Sequence, residues 1–263
     1  MPTVQEMIDV RAWATDQADV GLPTGLRDLD ALTHGLRPGQ LWLLAGTPGV
    51  GRTVLAGQIA LHAALERRGS VIFLSGREPA RIILSNMVCA LGRVSPHQLA
   101  AGLADEQDQA HLETAFERLS AVNLRFWSMT DDRWDTDQSQ GTPDLTRMIG
   151  RHKPARVLVV DDLDSVIDEH ALDVLPRLRE WCRTADFTLL ATMPEELLLE
   201  QERLLPRVRR EVDVALRLSR ADQFDATSPR PGEAHLQVLS HRAGPTTTLL
   251  LGFQGFFRRF VDG

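Results

Sequence analysis

Gly46, Thr47, Pro48, Gly49, Val50, Gly51, Arg52 and Thr53 form the most chemically pointed run in this 263-residue chain. Three glycines in one turn let the backbone curl until its N–H groups converge, which makes a nest for an anion. A helix starting at the end of such a turn adds the partial positive charge of its N-terminus. The spacing is that of the phosphate-binding pattern G-x-x-x-x-G-K-[ST], in which the last hydroxyl serves Mg²⁺. Thr53 stands at that place, so ATP with Mg²⁺ is the expected ligand. A glycine-rich turn that binds nothing is the bland alternative, and the apolar strand before it and the helical pattern after it argue against that. One position departs from the pattern: Arg52 stands where lysine is expected. Arginine keeps the charge, but its planar fork is larger and differently shaped from an ammonium. The expected consequence is weakened hydrolysis more than weakened binding.

The elements around this loop follow an alternating grammar. LWLLAG (Leu41 to Gly46) is apolar throughout and reads as a buried strand. A helix is predicted from about Arg52 to Arg68, with Gly69 placed to end it. Strands are predicted at Ser70–Ser75, Asn123–Trp127, Arg156–Asp162 and Phe187–Met193. Helices are predicted at Pro79–Leu91, Asp105–Leu119, Thr142–Arg151 and along the stripe Ala171, Val174, Leu175, Leu178 and Cys182. A short amphipathic helix is predicted over residues 4–14, and an exposed acidic loop from Asp131 to Gly141. Strands alternating with helices imply an α/β fold, a mainly parallel sheet flanked by helices. After residue 211 four strand-like runs joined by turns predict an antiparallel C-terminal extension, with Ala221–Gly232 as a mobile hairpin loop.

Composition removes several classes. The hydrophobic fraction of 43% is ordinary for a globular protein with a real core, and no apolar run is long enough to span a bilayer. The formal net charge is -7, so the chain's overall field does not favour nucleic acid, and any DNA contact has to come from a local cluster. Cys89 and Cys182 have no metal spacing and read as buried hydrophobes of a reducing, cytoplasmic setting. The eight histidines show no zinc spacing, the acids of 131–137 lack the glycine and final Glu of a calcium loop, and no GxSxG elbow occurs.

The run GLPTGLRDLDALTHGLRPGQLWLLAGTPGVGRT (Gly21 to Thr53) resembles the start of the motor domain of DnaB-type replicative helicases, and HRAGPTTTLLLGF (His241 to Phe253) is similar to that group's RNGPTGT strand pair. The resemblance covers roughly residues 20–262. It implies a RecA-like nucleotide-binding domain over 21–263, preceded by a short linker helix in 1–20 and lacking the primase-docking domain of full-length members. It implies that Asp161 orders Mg²⁺ together with Thr53. The family ends its second strand in Ser-Leu-Glu, the Glu being the base that activates water; here the run is Ser75-Gly76-Arg77-Glu78, and Glu78 is the candidate base one residue on. The family's γ-phosphate-sensing glutamine is replaced by Asp164. Its Lys-x-Arg finger, supplied across a subunit interface, becomes Ser240-His241-Arg242, which leaves Arg242.

Contacts to single-stranded DNA are implied for the loop before the strand VDVALRL, where Arg207, Arg209 and Arg210 form a local basic patch. A solvated basic helix end is the alternative there. The partners implied are further copies in a ring, or other subunits of a mixed ring, and single-stranded DNA, with no membrane. Three readings of function stay open. One is an ATP-binding, DnaB-helicase-like oligomer with weakened or lost hydrolysis, and one is an active helicase in DNA replication. The third is a RecA-like regulatory ATPase outside replication. The joint departures at Arg52, Arg77 and Asp164 favour the first.

Overall fold

A strand that is apolar at every position has to be covered on both faces. β1 (Leu41–Gly46) is buried along its whole length and pairs in parallel with β5 (Thr188–Pro194) on one side and β8 (Val214–Arg220) on the other. The computed structural model describes residues 21–66, 69–130, 155–167, 170–200, 203–225 and 227–263. The predicted helices at 4–14 and 142–151 and the acidic loop 131–141 lie outside the described residues. The remaining strands of the main sheet are β2 (Ser70–Ser75), β3 (Asn123–Ser128), β4 (Val157–Asp161), β9 (Glu233–His241), β10 (Thr248–Gln254) and β11 (Arg259–Asp262). Among the described residues the nine strands run in the order β11-β10-β9-β8-β1-β5-β4-β2-β3. The five pairings from β8 through β3 are parallel, and those among β8, β9, β10 and β11 are antiparallel. This is the α/β architecture with an antiparallel C-terminal extension that the alternation predicts.

Helices cover both faces. α1 (Arg27–Thr33) and α2 (Arg52–Leu65) lie on one, where Leu29, Leu55 and Ile59 join Leu44, Phe73 and Leu190 in a single core. The same face also carries α3 (Ala80–Gly92), whose Ile83 and Met87 belong to that core. Then come the short α4 (Pro96–Ala100) and α5 (Glu106–Ser120), the latter started by a capping box between Asp105 and Asp108. On the opposite face α6 (Leu163–Val166) and α7 (Ala171–Ala185) bury Leu163, Val174, Leu175, Leu178 and Cys182 against Leu43, Leu74 and Val160. Each such side chain contributes about 1.5–3 kcal/mol on burial. Among the described residues no helix is long and apolar enough to cross a membrane.

Two local expectations change. α2 stops at Leu65 rather than reaching Arg68: Glu66 is extended, and the Gly69 N–H donates to the Glu66 carbonyl in a tight turn. A Cβ at Gly69 would lie 2.0 Å from the Ala63 carbonyl oxygen, so the chain folds back too closely for the helix to continue. The segment expected as a loop before β8 is the helix α8 (Pro206–Glu211), which follows a small hairpin of β6 (Leu199–Glu200) and β7 (Arg203–Leu204). Pro206 at its first turn has no N–H to leave unpaired, and the fully buried Val208 anchors it.

Candidate nucleotide site

β1 ends at Gly46 and α2 begins at Arg52, so the glycine-rich turn joins a strand's C-terminal end to a helix N-terminus as its spacing predicts. Gly51 caps α2 with φ 109°, and a Cβ there would lie 2.9 Å from the Phe260 ring; both backbone and space require glycine. The loop's tip is held from the far side of the β8–β9 hairpin. The Thr47 hydroxyl donates to the Gln223 side-chain oxygen at 2.8 Å, and the Gln223 amide donates to the Pro48 carbonyl. The segment Ala221–Gly232, expected to be a mobile loop, is tied further by Asp222, which accepts from Arg220 and from the Gly232 N–H. Gln223 was not legible as a site residue, because it is 176 residues from Thr47 and belongs to no motif.

The strand order sets the ends of β1, β5, β4 and β2 side by side at one edge of the sheet. From β4, the Asp161 carboxylate accepts the Thr53 hydroxyl at 2.8 Å and the Thr192 hydroxyl at 2.7 Å. Thr192, on β5, also accepts the Asp162 N–H at 2.8 Å, so one buried threonine orients both aspartates. Burial pushes the Asp161 carboxyl up to about 6; the Asp162 charge adds to the rise, while the two threonine hydroxyls and Arg52 oppose it. A hydroxyl and a carboxylate in hydrogen-bond contact at the end of a phosphate loop are hard oxygen donors, and they fit Mg²⁺. The loop and the N-terminus of α2 fit a phosphate. Beside Thr53 a groove of about 360 Å³ runs along α2, lined among others by Val54, Gln58, Met87, Arg258 and Phe260.

The three departures seen in the sequence meet here. The Arg52 guanidinium donates back to the Gly46 carbonyl and, at 3.1 Å, to Asp162. Arg77 approaches the other Asp162 oxygen at 3.8 Å and donates to Asp164 at 2.9 Å and to the Ser165 hydroxyl at 2.7 Å. Arg52, Asp162, Arg77 and Asp164 thus form one continuous ion-pair chain. The approach depends on Gly76, whose N–H donates to the Asp161 carbonyl at 2.9 Å and whose Cβ would lie 2.8 Å from the Asp162 carbonyl oxygen. Glu78 is exposed; its N–H donates to the Ser75 hydroxyl and its carbonyl accepts the Ser128 hydroxyl. Its carboxylate has no hydrogen-bond partner among the described residues.

The remaining candidates lie elsewhere. Asp213 accepts the Leu41 N–H at 3.0 Å and Arg242 Nε at 2.9 Å, and Arg242 donates again to the Arg210 carbonyl at 2.6 Å. This is the starting end of β1, about 20 Å from the loop at the usual strand rise. On α8, Arg207 pairs with Asp173 and Arg210 with Glu211, while Arg209 is exposed with no ion-pair partner among the described residues. The basic run is therefore a helix face in which two of three cations are already paired.

Comparison with known proteins gives a consistent pattern. The family model described as DnaB-like helicase C terminal domain matches residues 21–174. The chain is 25% identical to the replicative DNA helicase DnaB of Leifsonia xyli subsp. xyli over 94% of its own length and 57% of that protein. It is 22% identical to the DnaB of Geobacillus stearothermophilus over 92% of its length and 56% of that protein. The chain thus spans about half the length of the curated relatives it matches. Among solved structures, one ATPase domain superposes with a TM-score of 0.80 at 18% identity, covering 100% of this chain and 99% of that one. A DnaB-like replicative helicase studied with its primase interactions gives 0.78 at 18% identity, covering 100% of this chain and 67% of that one. Both likenesses show the fold.

Proposed function

The chain belongs to the DnaB-like helicase C-terminal domain family, and from that premise we propose that it is an oligomeric, helicase-like ATP-binding protein acting on or near single-stranded DNA, with hydrolysis weakened or lost. The carrying observation is the division within the site. Thr53 meets Asp161, the pair this reading gives to the metal, while Arg77, at the position the resemblance gives to the base, is engaged with Asp164. In this reading the backbone of Gly46, Thr47, Pro48, Gly49, Val50 and Gly51 with Arg52 receives the phosphates, and the groove along α2 gives room for the nucleoside. Thr53 and Asp161 hold Mg²⁺, which when bound supplies charge neutralisation to the phosphates. Glu78, an acid outside the ion-pair chain, is the one this reading gives to orienting water.

Arg242 supports the oligomeric part. Lying at the far end of β1, it cannot serve its own chain's nucleotide, so as a finger it acts on a neighbour's, in a ring of identical or mixed subunits. The Arg242–Asp213 pair has to open for that. Arg209, with Arg207 and Arg210, is the candidate DNA contact, and a cytoplasmic setting follows from the same reading. The active-motor reading is favoured by one observation, the Glu78 carboxylate, which has no partner among the described residues, on a backbone pinned by two serines.

Nucleotide binding and turnover by the full chain, with and without single-stranded DNA, separate these readings. The expected result is saturable Mg²⁺-ATP binding with turnover at least a hundredfold below the roughly 10 s⁻¹ typical of enzymes. DNA-stimulated turnover at that typical rate establishes the motor instead. Brisk turnover indifferent to DNA establishes a regulatory ATPase. Folded protein that takes up no nucleotide refutes the nucleotide reading altogether.

A further inference from the structure

We propose that Asp162 is a built-in stand-in for the terminal phosphate of a nucleoside triphosphate, and that Arg77 is the residue that distinguishes triphosphate from diphosphate. This deepens the nucleotide reading and rests on it.

Two guanidiniums from different elements converge on one carboxylate. Arg52 reaches Asp162 from the phosphate loop at 3.1 Å, and Arg77 reaches it from the end of β2 at 3.8 Å. The first pair is nearly enclosed, with side-chain exposures of 10% for Arg52 and 11% for Asp162. Asp162 adopts a left-handed backbone, φ 55°, which costs an aspartate less than most residues. Its carboxylate is thus committed to the loop's cation. The chain of four carries two positive and two negative charges, so it is neutral in itself before any ligand arrives. Buried charges have to be paired, and this network pairs them without a nucleotide.

A polyphosphate must take Arg52 from Asp162, and a diphosphate needs nothing more. A third phosphate brings further charge, and the second cation of the network is able to move to it. The Arg77 side chain is 57% exposed, and its pair with Asp164 is solvent-screened and cheap to open. Two planar guanidiniums are better matched to a phosphate dianion, with its several oxygens, than to one carboxylate. Gly76 supports the same arrangement, since any larger residue would hold the end of β2 away from Asp162. The departures at Arg52, Arg77 and Asp164 are then one coupled replacement, in which an arginine switch takes the place of a base and a sensor.

The test is equilibrium binding of ADP and of a non-hydrolysable ATP analogue, each with Mg²⁺, to the full chain and to Arg77→Gln, Asp162→Asn and Asp164→Asn, with circular dichroism to confirm folding. Arg77→Gln should weaken the triphosphate about tenfold, the worth of one charge-assisted hydrogen bond, and change ADP less than about twofold. Asp162→Asn should tighten both ligands, the triphosphate more. Asp164→Asn, which removes the charge that Arg77 pairs with at 2.9 Å while leaving its Ser165 bond, should tighten the triphosphate alone by a factor of roughly three, that of one partly exposed ion pair. Equal shifts for the two ligands, or none, overturn the proposal while leaving nucleotide binding intact. Should Arg77→Gln fail to fold, the Asp164→Asn ratio decides by the same rule. Wild type binding neither ligand sinks this proposal and the nucleotide reading together.

Discussion

Each end of β1 has an aspartate–arginine pair beside it, and the two are built for different work. At the loop end Asp162 is clasped by Arg52 and approached by Arg77, with no backbone N–H donating to its carboxylate among the described residues. At the other end Asp213 spends one oxygen on the Leu41 N–H and the other on Arg242, whose guanidinium also ties down the Arg210 carbonyl. The lower pair is part of the sheet's own bonding and braces the start of two strands. The upper pair takes its cation from the glycine-rich loop itself, whose Gly46 carbonyl the same guanidinium also meets. The same chemistry is therefore part of the sheet's bonding in one place and, on the reading proposed above, is kept for a ligand in the other.

The largest effect expected from this contrast is at the lower end. Asp213→Ala leaves a buried N–H without its acceptor and Arg242 without its carboxylate, and should cost about 3 kcal/mol in urea unfolding. Nucleotide affinity of the folded chain, measured at concentrations where copies do not associate, should be unchanged; a loss below about 1 kcal/mol would remove the brace from the argument. Thr53→Ala should do the converse. Mg²⁺-dependent nucleotide binding should weaken by about tenfold or more, equivalent to about 1.4 kcal/mol, while the unfolding free energy moves by about 1 kcal/mol or less. Calorimetric titration against thermal melts would show whether the two ends really separate.

The smallest effect concerns Cys182 on α7. Burial pushes its thiol up to about 12, with the Asp213 charge adding to the rise. At pH 8 it stays protonated and enclosed, so a thiol reagent should label it only as the chain unfolds, at a rate that falls when nucleotide binds and stabilises the folded state. Cys89, also raised chiefly by burial, should behave alike. Rapid labelling of Cys182 in the folded chain would mean that the lower end opens far more readily than the Asp213 brace allows.

Much of the frame was legible because it is local. Leu41–Gly46 could only be a doubly covered strand, the stripe from Ala171 to Cys182 has helical period, and Asp105 with Asp108 starts α5 by a contact spanning three residues. Features that depend on partners distant in sequence were not legible. α8 was read as a loop because its one strong anchor, Val208, is apolar burial against α7 rather than a periodic pattern. Thr192 and Gln223 carry no motif and matter through what β5 and the β8–β9 hairpin bring beside them.

From residue order alone came the phosphate loop, because its glycines, its hydroxyl and the strand and helix around it lie within a few residues of one another. Set beside the family resemblance, the same order marked Arg52, Arg77 and Asp164 as departures, and read singly they look like three losses. Their joining into one charged chain with Asp162 was settled by folding. Arg52 and Asp162 are 110 residues apart, Arg77 and Asp164 are 87 apart, and they meet because the sheet sets the ends of β1, β4 and β2 along one edge. Ion pairing acts over a few ångströms of space regardless of chain separation, so no reading of local pattern could have found it.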